Sequence, residues 1–368
     1  MSAAVVPGDL LGLLEESARR ADVTGRPDHE VLARLRASGL LGTAVPVEHG
    51  GRGGDACAVN GVVAELARVN PSVAIIAFQH FAVTARLVEW APAALGAEIL
   101  PRIADGRCLA ASAWSEPGAG AAKRAIASTG VRRPDGTWVV DGAKSYTTGA
   151  SVADVYLVLV RTGGEAPTGG TGYGAAGQTF FLVDAADPGV VPQPGIDLVG
   201  MRGSATGFVT LRGCMVPDGR RIGPEGAAAR IIAGVRETGA TLGAVAVGVA
   251  QAALDLLRTR LHERGQLGGD LVRHRLVELA TRLEAARAVV DRAGARTAPD
   301  PGAATLHSKL FASTVAEEIC LEAARLLGSE AYSSVSPLNR LLDDARGVGL
   351  MGPTNELCRE ILAARWAA

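Results

Sequence analysis

The sequence predicts a multidomain α+β fold in which an N-terminal α-helical domain, a middle antiparallel β-domain and a C-terminal four-helix bundle follow one another. The main observation is that the spacing of apolar residues changes from helical to alternating and then back to helical. A chain of 368 residues is also long enough for two or three domains. The changes of spacing predict domain boundaries at 1–107, 108–217 and 218–368.

Helical spacing of apolar residues extends from Leu10 to Arg107. It is clearest in the segments LLGLLEESARRA, HEVLARLRASGLLG, AVNGVVAELARVN and VAIIAFQHFAVTARLVEW. Asn70 followed by Pro71 is typical of a helix cap and a first-turn proline. The glycine-rich stretch PVEHGGRGG at 46–54 predicts a turn that interrupts these helices.

From Cys108 to Pro217 the apolar residues alternate with polar ones, as they do in strands. The segments rich in β-branched and aromatic residues are LAASAWS, RAIASTGVRR, TWVVDGAKSYTT, DVYLVLVRT, TFFLVD and FVTLRGCMVP. Turn sequences such as PDG and ADPG separate them. This pattern predicts a small antiparallel β-domain.

After Gly223 the helical spacing returns, and it predicts helices at 230–262, 271–293, 303–327 and 355–364. Gly243, Ala246 and Gly248 would let neighbouring helices approach closely, as in a tightly packed four-helix bundle. The uncharged stretch 239–254 is shorter than the roughly 20 residues that a bilayer requires. We therefore interpret it as a buried bundle helix and predict no membrane span.

Composition and motifs argue against several classes of function. The chain has 37 Lys+Arg and 38 Asp+Glu, and this balance gives no basic face for a nucleic acid. Five scattered cysteines without a CxxC pair, and no secretory signal, indicate reduced thiols and a cytoplasmic location. Six scattered histidines predict no metal site. No GxSxG elbow occurs, and no GxGxxG follows a predicted strand and opens a helix, so neither a hydrolase nor a nicotinamide enzyme is supported.

Four motifs occur in a series that is specific when combined with the α-β-α order. They are SEPGAG at 115–120, GMRGSAT at 200–206, HERGQLGG at 262–269, and the closing segments LLGSEAY, RLLDDAR and TNE between 326 and 356. In this series the chain resembles the acyl-CoA dehydrogenase superfamily of flavoproteins over essentially its whole length. The resemblance implies an FAD cofactor and an acyl thioester substrate.

The resemblance implies that the flavin ring lies against two segments of the β-domain. A strand delivers Trp114 and Ser115 to its end, and the following glycine turn exposes backbone N–H groups that can bind a flavin edge or a pyrophosphate. The segment KSYTTGAS offers an aromatic ring for stacking and two hydroxyl groups. The residues implied as flavin contacts are Trp114, Ser115, Gly120, Ala121, Tyr146, Thr147 and Thr148, with Ala121 in place of the family's serine.

The resemblance also implies that a neighbouring subunit completes the site for the adenine and pyrophosphate of FAD. Its first turn is 264–268, in which Arg264 can pair with a phosphate and Leu267 replaces an aromatic residue. Its second turn is 325–329, where Arg325 replaces a glutamine and Gly328 and Ser329 follow. Thr354 and Glu356 of the TNE segment complete the implied contacts. The expected assembly is a homo-oligomer, at least a dimer.

The family's usual catalytic base is missing. In most members a Glu in the loop before the last helix takes the α-proton, and Gly352 stands at that position here. In a subset the Glu lies on the first long bundle helix, at the position of Thr238, followed by an Arg where this chain has Gly239. Glu237 is one residue away, which turns its side chain by about 100° on a helix. Glu237 is therefore a candidate base with poor geometry.

Three functions remain open from the sequence. The first is FAD-dependent oxidation of a short hydroxylated acyl thioester, because the chain resembles the dehydrogenases of methoxymalonyl extender-unit formation in polyketide antibiotic biosynthesis. Their substrate would be a 2-hydroxy-3-oxo-propionyl group on an acyl carrier protein, oxidised to hydroxymalonyl. The second is a reduced-flavin-dependent monooxygenase, whose electrons come from a separate reductase. The third is a non-catalytic flavoprotein. GMRGSAT and TNE favour the first.

Two charged segments have several interpretations. Lys123, Arg124, Arg132 and Arg133 are clustered in sequence, and they would suit CoA, an acidic carrier protein or a solvated strand face. The segment RLLDDAR contains two carboxylates, Asp343 and Asp344. We interpret them as part of a solvated turn or as partners of the flanking arginines Arg340 and Arg346.

Overall fold

The structure is a computed structural model, and it describes residues 6–119, 123–163, 174–193 and 195–366. Helices make up the N-terminal part, as the apolar spacing predicted. They are α1 (Gly8–Thr24), α2 (His29–Ala37), α3 (Ala56–Val69), α4 (Pro71–Trp90) and α5 (Ala93–Ala104), with 3-10 turns at Leu40–Ala44 and Val47–His49. The Asn70 side chain accepts a hydrogen bond from Val73 N and caps α4, which confirms the predicted cap.

The described part of the chain contains one helix that is long and apolar enough to cross a membrane. It is α4, and not the stretch 239–254 that drew attention in the sequence. Most of α4 is buried against other elements of the chain, including Ile75, Ala77 and Phe81, which are nearly inaccessible. Its apolar character is therefore explained by core packing.

The middle part forms a sheet with the strand order β6-β7-β3-β2-β4-β5-β8, and β1 pairs with β4. The strands are β1 (Ala110–Ala113), β2 (Thr129–Arg132), β3 (Trp138–Thr147), β4 (Val155–Arg161), β5 (Gln178–Asp184), β6 (Val190–Gln193), β7 (Gly207–Val216) and β8 (Arg221–Ile222). Most pairs are antiparallel, but β1 and β2 pair with β4 in parallel. The sheet is therefore mixed, which corrects the prediction of an antiparallel domain. The parallel strands β1 and β4 are joined by a long connection, as parallel neighbours require, and this connection contains β2 and β3.

The C-terminal part is helical again. Its helices are α6 (Ala228–Glu237), α7 (Gly243–Glu263), α8 (Asp270–Ala295), α9 (Pro301–Leu327), α10 (Pro337–Leu350) and α11 (Asn355–Ala363). Helices α7 to α10 share buried residues of one core and form a four-helix bundle. The prediction is wrong about the fourth helix, because α10 completes the bundle while the predicted helix at 355–364 is α11, most of whose buried residues belong to a small separate cluster. The segment 230–262 is not one helix, since Gly239 has a φ of 84° and separates α6 from α7.

The small residues of α7 allow the close packing that the sequence predicted. A Cβ atom on Gly248 would lie 2.4 Å from the carbonyl oxygen of Ala64 in α3. A Cβ atom on Gly243 would lie 2.9 Å from the carbonyl oxygen of Ser308 in α9. Helix α7 therefore contacts both the N-terminal helices and its bundle neighbour through positions where only glycine fits.

Candidate active site

A buried ion pair anchors the segment that follows β1. The carboxylate of Glu116 accepts a hydrogen bond from Lys144 Nζ at 2.6 Å, and both side chains are almost completely buried. The backbone N–H groups of Ala127 and Ser128 also donate to Glu116. Burial lowers the pKa of Lys144 to about 8, although Glu116 opposes this effect. Such a paired and hydrogen-bonded charge fixes the geometry of its segment.

The turn at the end of β3 lies directly beside this segment, because Ser145 N donates to Ser115 O at 2.9 Å. Tyr146 has a φ of 51° and is 64% exposed, which leaves its ring free to stack. A positive φ is uncommon for an aromatic residue and indicates a functional constraint. The Thr147 Oγ1 atom is buried and has no hydrogen-bond partner in the part of the chain that the structure describes. The Thr148 hydroxyl accepts a hydrogen bond from Thr206. The structure thus brings four of the sequence-predicted flavin contacts together.

The loop at 200–206, which we call the central loop, joins the β-domain to the N-terminal helices. Gly149 N, just after the β3 turn, donates to Ser204 O at 3.0 Å. Gly203 N donates to the Ser72 Oγ atom of α4 at 3.1 Å. The motif GMRGSAT therefore holds the β3 turn at a fixed distance from α4.

The central loop also contacts the bundle through α10. Met201 N donates to the Asp344 carboxylate, and a Cβ atom on Gly200 would lie 2.5 Å from the carbonyl carbon of Asp343. Burial raises the pKa of Asp344, which is only 2% exposed, to about 7. The prediction of a flanking arginine partner holds for Asp343, which pairs with Arg346 at 2.9 Å. The prediction of a solvated turn is wrong for Asp344, since the central loop covers it.

A buried lysine holds the loop between α10 and α11, where Gly352 lies. Lys309 of α9 is 3% exposed. Burial lowers the pKa of its ammonium group to about 8. Its Nζ atom donates to four acceptors of the loop: Gly349 O at 3.5 Å, Met351 O at 3.0 Å, Pro353 O, and Asn355 Oδ1 at 3.2 Å. The residues from 350 to 354 include no carboxylate. The charged group in contact with this loop is therefore the Lys309 ammonium and not a carboxylate base.

The two side chains implied in the TNE segment make local contacts. The Thr354 hydroxyl accepts a hydrogen bond from Leu357 N at 3.2 Å and caps α11. Glu356 is exposed and pairs with Arg359 at 2.5 Å. In this chain the segment therefore starts the last helix.

The two turns implied in adenine and pyrophosphate binding lie next to each other. Arg264 Nη1 donates to Leu327 O at 3.2 Å, and its Nη2 atom pairs with Glu330. Arg260 also contacts Glu330, at 3.1 Å. Glu330 therefore binds part of the Arg264 guanidinium, which the resemblance assigned to a phosphate. A guanidinium has five N–H donors, so Arg264 keeps donors for a second anion.

The other residues of these turns differ in exposure. Leu267 packs against the main core. Arg325 is exposed and pairs with Glu322, while Ser329 is exposed after Gly328, whose φ is 65°. Arg325 and Ser329 are therefore accessible to a neighbouring subunit.

One predicted position does not contribute to this arrangement, and two others lie where the structure describes nothing. The Glu237 side chain is exposed at the end of α6 and lies against the first turn of α9, where a Cβ atom on Gly302 would be 3.7 Å from it. Gly120 and Ala121 lie outside the residues that the structure describes.

The four basic residues clustered in sequence do not form one patch. Lys123 is buried, and the Arg124 Nε atom is buried as well. Arg132 lies 5.9 Å from the ring centroid of Trp138, and the exposed Arg133 is near the β2–β3 turn. A carrier protein would therefore not meet them as a single basic surface.

Fold and site together define a flavin-dependent dehydrogenase class. The chain belongs to the acyl-CoA dehydrogenase family, because residues 13–107, 111–214 and 229–367 match the family's N-terminal, middle and C-terminal domain models. It is an oxidoreductase of this type, and its cofactor is FAD.

Three comparisons illustrate the relationship. A probable acyl-CoA dehydrogenase of Mycobacterium tuberculosis is 31% identical over 355 residues, which cover 94% of this chain and 89% of the relative. An L-prolyl-[peptidyl-carrier protein] dehydrogenase of Pseudomonas fluorescens is 29% identical over 337 residues, covering 89% and 87%. A solved FAD-dependent dehydrogenase is 26% identical, with a TM-score of 0.83 and full coverage of both chains.

The residues present at the β3 turn fit a flavin. The buried and unpaired Oγ1 atom of Thr147 needs a polar partner, since a buried hydroxyl without one costs about 1–3 kcal/mol. The exposed ring of Tyr146 offers a stacking surface beside it. On the bundle side, Arg264 retains donors for a pyrophosphate.

Sequence reasoning missed three groups that organise the site: Lys144 with Glu116, Lys309, and Glu330. Glu116 lies inside the motif SEPGAG, and its charge beside a buried strand was a usable signal. Lys309 interrupts an apolar stretch of α9, a pattern that an exposed lysine also gives. Nothing in the sequence indicated Glu330.

Proposed function

We propose that the protein oxidises a short hydroxylated acyl thioester, carried on an acyl carrier protein, with FAD as the electron acceptor. The substrate is a 2-hydroxy-3-oxo-propionyl group, the product is hydroxymalonyl, and the pathway is extender-unit formation for a polyketide antibiotic. The observation that carries the proposal is Gly352, which lies in a loop without a carboxylate and held by the Lys309 ammonium. A positioned base contributes about 10² to 10⁴ in rate, so desaturation between Cα and Cβ is disfavoured.

The proposed reaction does not need that base. The hydrated aldehyde loses the hydrogen on C3 as hydride and an O–H proton to water, and the product is a carboxylic acid. An O–H proton of a hydrate is far more acidic than the Cα–H of a thioester, so water suffices as the acceptor. FAD supplies the hydride acceptor when it is bound. Thr147, Tyr146 and Ser115 would orient its ring, and Arg264 would hold its pyrophosphate.

A carrier-bound substrate is supported by one of the relatives. The Pseudomonas fluorescens protein is named as a dehydrogenase of a prolyl group on a peptidyl carrier protein. The same fold therefore accommodates thioesters on carrier proteins as well as on CoA. We infer a carrier protein here, with CoA as the alternative carrier.

We further infer a homo-oligomer, at least a dimer, whose functional units are 1–107, 108–217 and 218–368. Arg325 and Ser329 are exposed and would reach the FAD of a neighbouring subunit. Thr354 and Glu356 would lie near the same cofactor. Free cysteines, four of the five buried, support a reducing cytoplasmic location.

The test is an anaerobic titration that follows the visible flavin band. The protein is mixed with 2-hydroxy-3-oxo-propionyl carrier protein, with the same acyl group on CoA, and with butyryl-CoA. We expect bleaching with the carrier-bound substrate, weaker bleaching with the CoA ester, and no bleaching with butyryl-CoA. Bleaching by butyryl-CoA would contradict the proposal, and so would consumption of the acyl group only with a reductase and oxygen, which identifies a monooxygenase.

The flavin contact at Thr147 has its own test. Thr147→Val removes the unpaired hydroxyl at nearly constant volume, and we expect the Kd for FAD to rise about fivefold to tenfold, as for the loss of one hydrogen bond. Thr281→Val is the matched control, because that exposed hydroxyl donates to Val277 O at 2.8 Å within α8 and is no part of the candidate site. Equal Kd values for wild type and Thr147→Val, measured by flavin fluorescence, would remove Thr147 from the site.

A further inference from the structure

A group of hydrogen-bond donors lies beside one apolar cluster between α4, α6 and the sheet. Four buried N–H atoms there have no partner among the described residues: Arg86 Nε, Trp90 Nε1, Trp114 Nε1 and Arg124 Nε. Buried donors without partners are rare, because each costs about 1–3 kcal/mol. Such a concentration of donors is suited to an acceptor ligand.

Arg86 is the strongest of these groups. Its side chain is 1% exposed, its Nη2 atom donates to Glu89 at 3.1 Å, and its buried Nε atom has no partner among the described residues. Burial lowers the pKa of Arg86, although Glu89 opposes this effect. The Glu89 side chain is 47% exposed, so its charge is largely compensated by water. A buried guanidinium with one half-solvated partner is suited to a second anion.

The four residues are connected through the cluster. Trp90 lies one helical turn after Arg86, on the same side of α4. Gly223 N donates to Trp90 O at 3.0 Å, and Gly223 follows Ile222, which pairs with Phe180. The Phe180 ring lies 4.9 Å from the ring of Trp114.

Arg124 borders the cluster from the side of α6. Its carbonyl oxygen accepts a hydrogen bond from Gln178 Nε2 at 3.1 Å, and Gln178 bridges to Ala227 at the start of α6. Ile126, two residues on, is buried in the cluster. Because Trp114 directly precedes Ser115, the donor group begins at the candidate flavin site.

We propose that Arg86, with the indole N–H groups of Trp90 and Trp114, binds a carboxylate at the far end of the acyl group. The identity of the acyl group rests on the proposed function. In that reaction C3 changes from an uncharged hydrate to a carboxylate, so the negative charge forms only in the product. A guanidinium in a dry surrounding stabilises this charge much more than water-exposed arginines do.

The experiment measures binding without turnover, in the oxidised holoenzyme. Hydroxymalonyl-pantetheine carries the carboxylate, and glyceryl-pantetheine has a CH₂OH group in its place. Quenching of tryptophan fluorescence reports each Kd. We expect hydroxymalonyl-pantetheine to bind wild type at least tenfold more tightly than glyceryl-pantetheine.

Three variants test the residues. Arg86→Met should raise the Kd for hydroxymalonyl-pantetheine at least tenfold and leave the Kd for glyceryl-pantetheine unchanged. Trp90→Phe removes one indole N–H and should raise the Kd for hydroxymalonyl-pantetheine about threefold to tenfold. This second variant tests the site independently if Arg86→Met fails to fold. Arg230→Met is the matched control, because Arg230 is exposed and lies 4.9 Å from the centroid of the Trp90 ring from outside. The Kd of the Arg230→Met variant for hydroxymalonyl-pantetheine should stay within twofold of the wild-type value.

The outcomes separate this inference from the proposed function. Bleaching by the carrier-bound substrate, with equal hydroxymalonyl Kd values in wild type, Arg86→Met and Trp90→Phe, would overturn the carboxylate site alone. An Arg86-dependent Kd without bleaching would support the carboxylate site and overturn the proposed oxidation.

Discussion

At the scale of single residues, buried charges connect the motifs to each other. Asp344 is an example, since its carboxylate lies in α10 and accepts a hydrogen bond from Met201 N, 143 residues earlier. Its pKa is raised from 3.8 to about 7, mainly by burial. The folded protein therefore holds a proton that the unfolded chain releases above pH 4. Its contribution to stability is complete below about pH 4 and is lost as the pH rises towards 7.

We expect Asp344→Asn to remove this dependence, because an amide oxygen accepts the same hydrogen bond without a charge. The free energy of unfolding of wild type should contain a term that falls by about 2–3 kcal/mol between pH 5 and pH 8. Urea unfolding at both values should show the variant gaining that difference at pH 8. Asp343→Asn is the control, since Asp343 is paired with Arg346 at the surface. A similar pH profile for Asp344→Asn and wild type would refute this assignment.

Residue-scale contacts were the least predictable part of the site. The sequence placed Tyr146, Thr147 and Ser115 in one region because they lie in motifs. It could not place Lys309, whose acceptors are mostly backbone carbonyls of a loop about forty residues away. Backbone acceptors leave no trace in the residue types, so only the folded chain shows them.

At the scale of elements, periodicity predicted the type and place of most helices and strands. It failed where tertiary contacts end an element. The break between α6 and α7 is one case: Asn60 Nδ2 of α3 donates to Gly239 O at 3.0 Å, and Asn60 Oδ1 accepts from Thr241 N. Asn60 is remote in sequence, and a single apolar pattern runs across the break.

The close contact of α7 with α3 predicts a specific sensitivity. Gly248→Ala should lower the free energy of unfolding by about 1–3 kcal/mol, because the new methyl group overlaps Ala64 O and Ala67 Cβ. Gly12→Ala in α1 is the matched control, since no atom lies within 4 Å of its Cβ position. That change should raise stability by up to about 1 kcal/mol through helix propensity. Equal effects of the two substitutions in urea unfolding would contradict the packing argument.

At the scale of the whole molecule, the bundle exposes apolar side chains around the turns implied in cofactor binding. Phe311 and Leu321 of α9 are each 41% exposed, and Tyr332 and Val335 beyond α9 are 95% and 87% exposed. Phe311 and Leu321 are ten residues apart, so their side chains point about 80° apart around the axis of α9. Exposed apolar side chains of this size are typical of an interface, which agrees with the proposed dimer.

We expect Phe311→Glu to convert dimers to monomers and to weaken FAD binding at least tenfold, because the partner's turns would be lost with the interface. Light scattering after size-exclusion chromatography gives the mass, and flavin fluorescence gives the Kd. Val131→Glu changes an even more accessible apolar residue, in β2 and 61% exposed, and should alter neither quantity. A monomeric wild type with full FAD occupancy would rule out the shared site.

The central loop has a consequence for how the molecule comes apart. Its backbone amides are bonded to α4 through Ser72 and to α10 through Asp344, and its carbonyls receive bonds from the β3 turn. Local opening of any one of the three parts therefore breaks bonds of the other two. Amide hydrogen exchange at Met201, Gly203 and Gly149 should proceed at one common slow rate. That rate should follow the free energy of global unfolding, so exchange in the central loop reports the cooperativity of the entire chain.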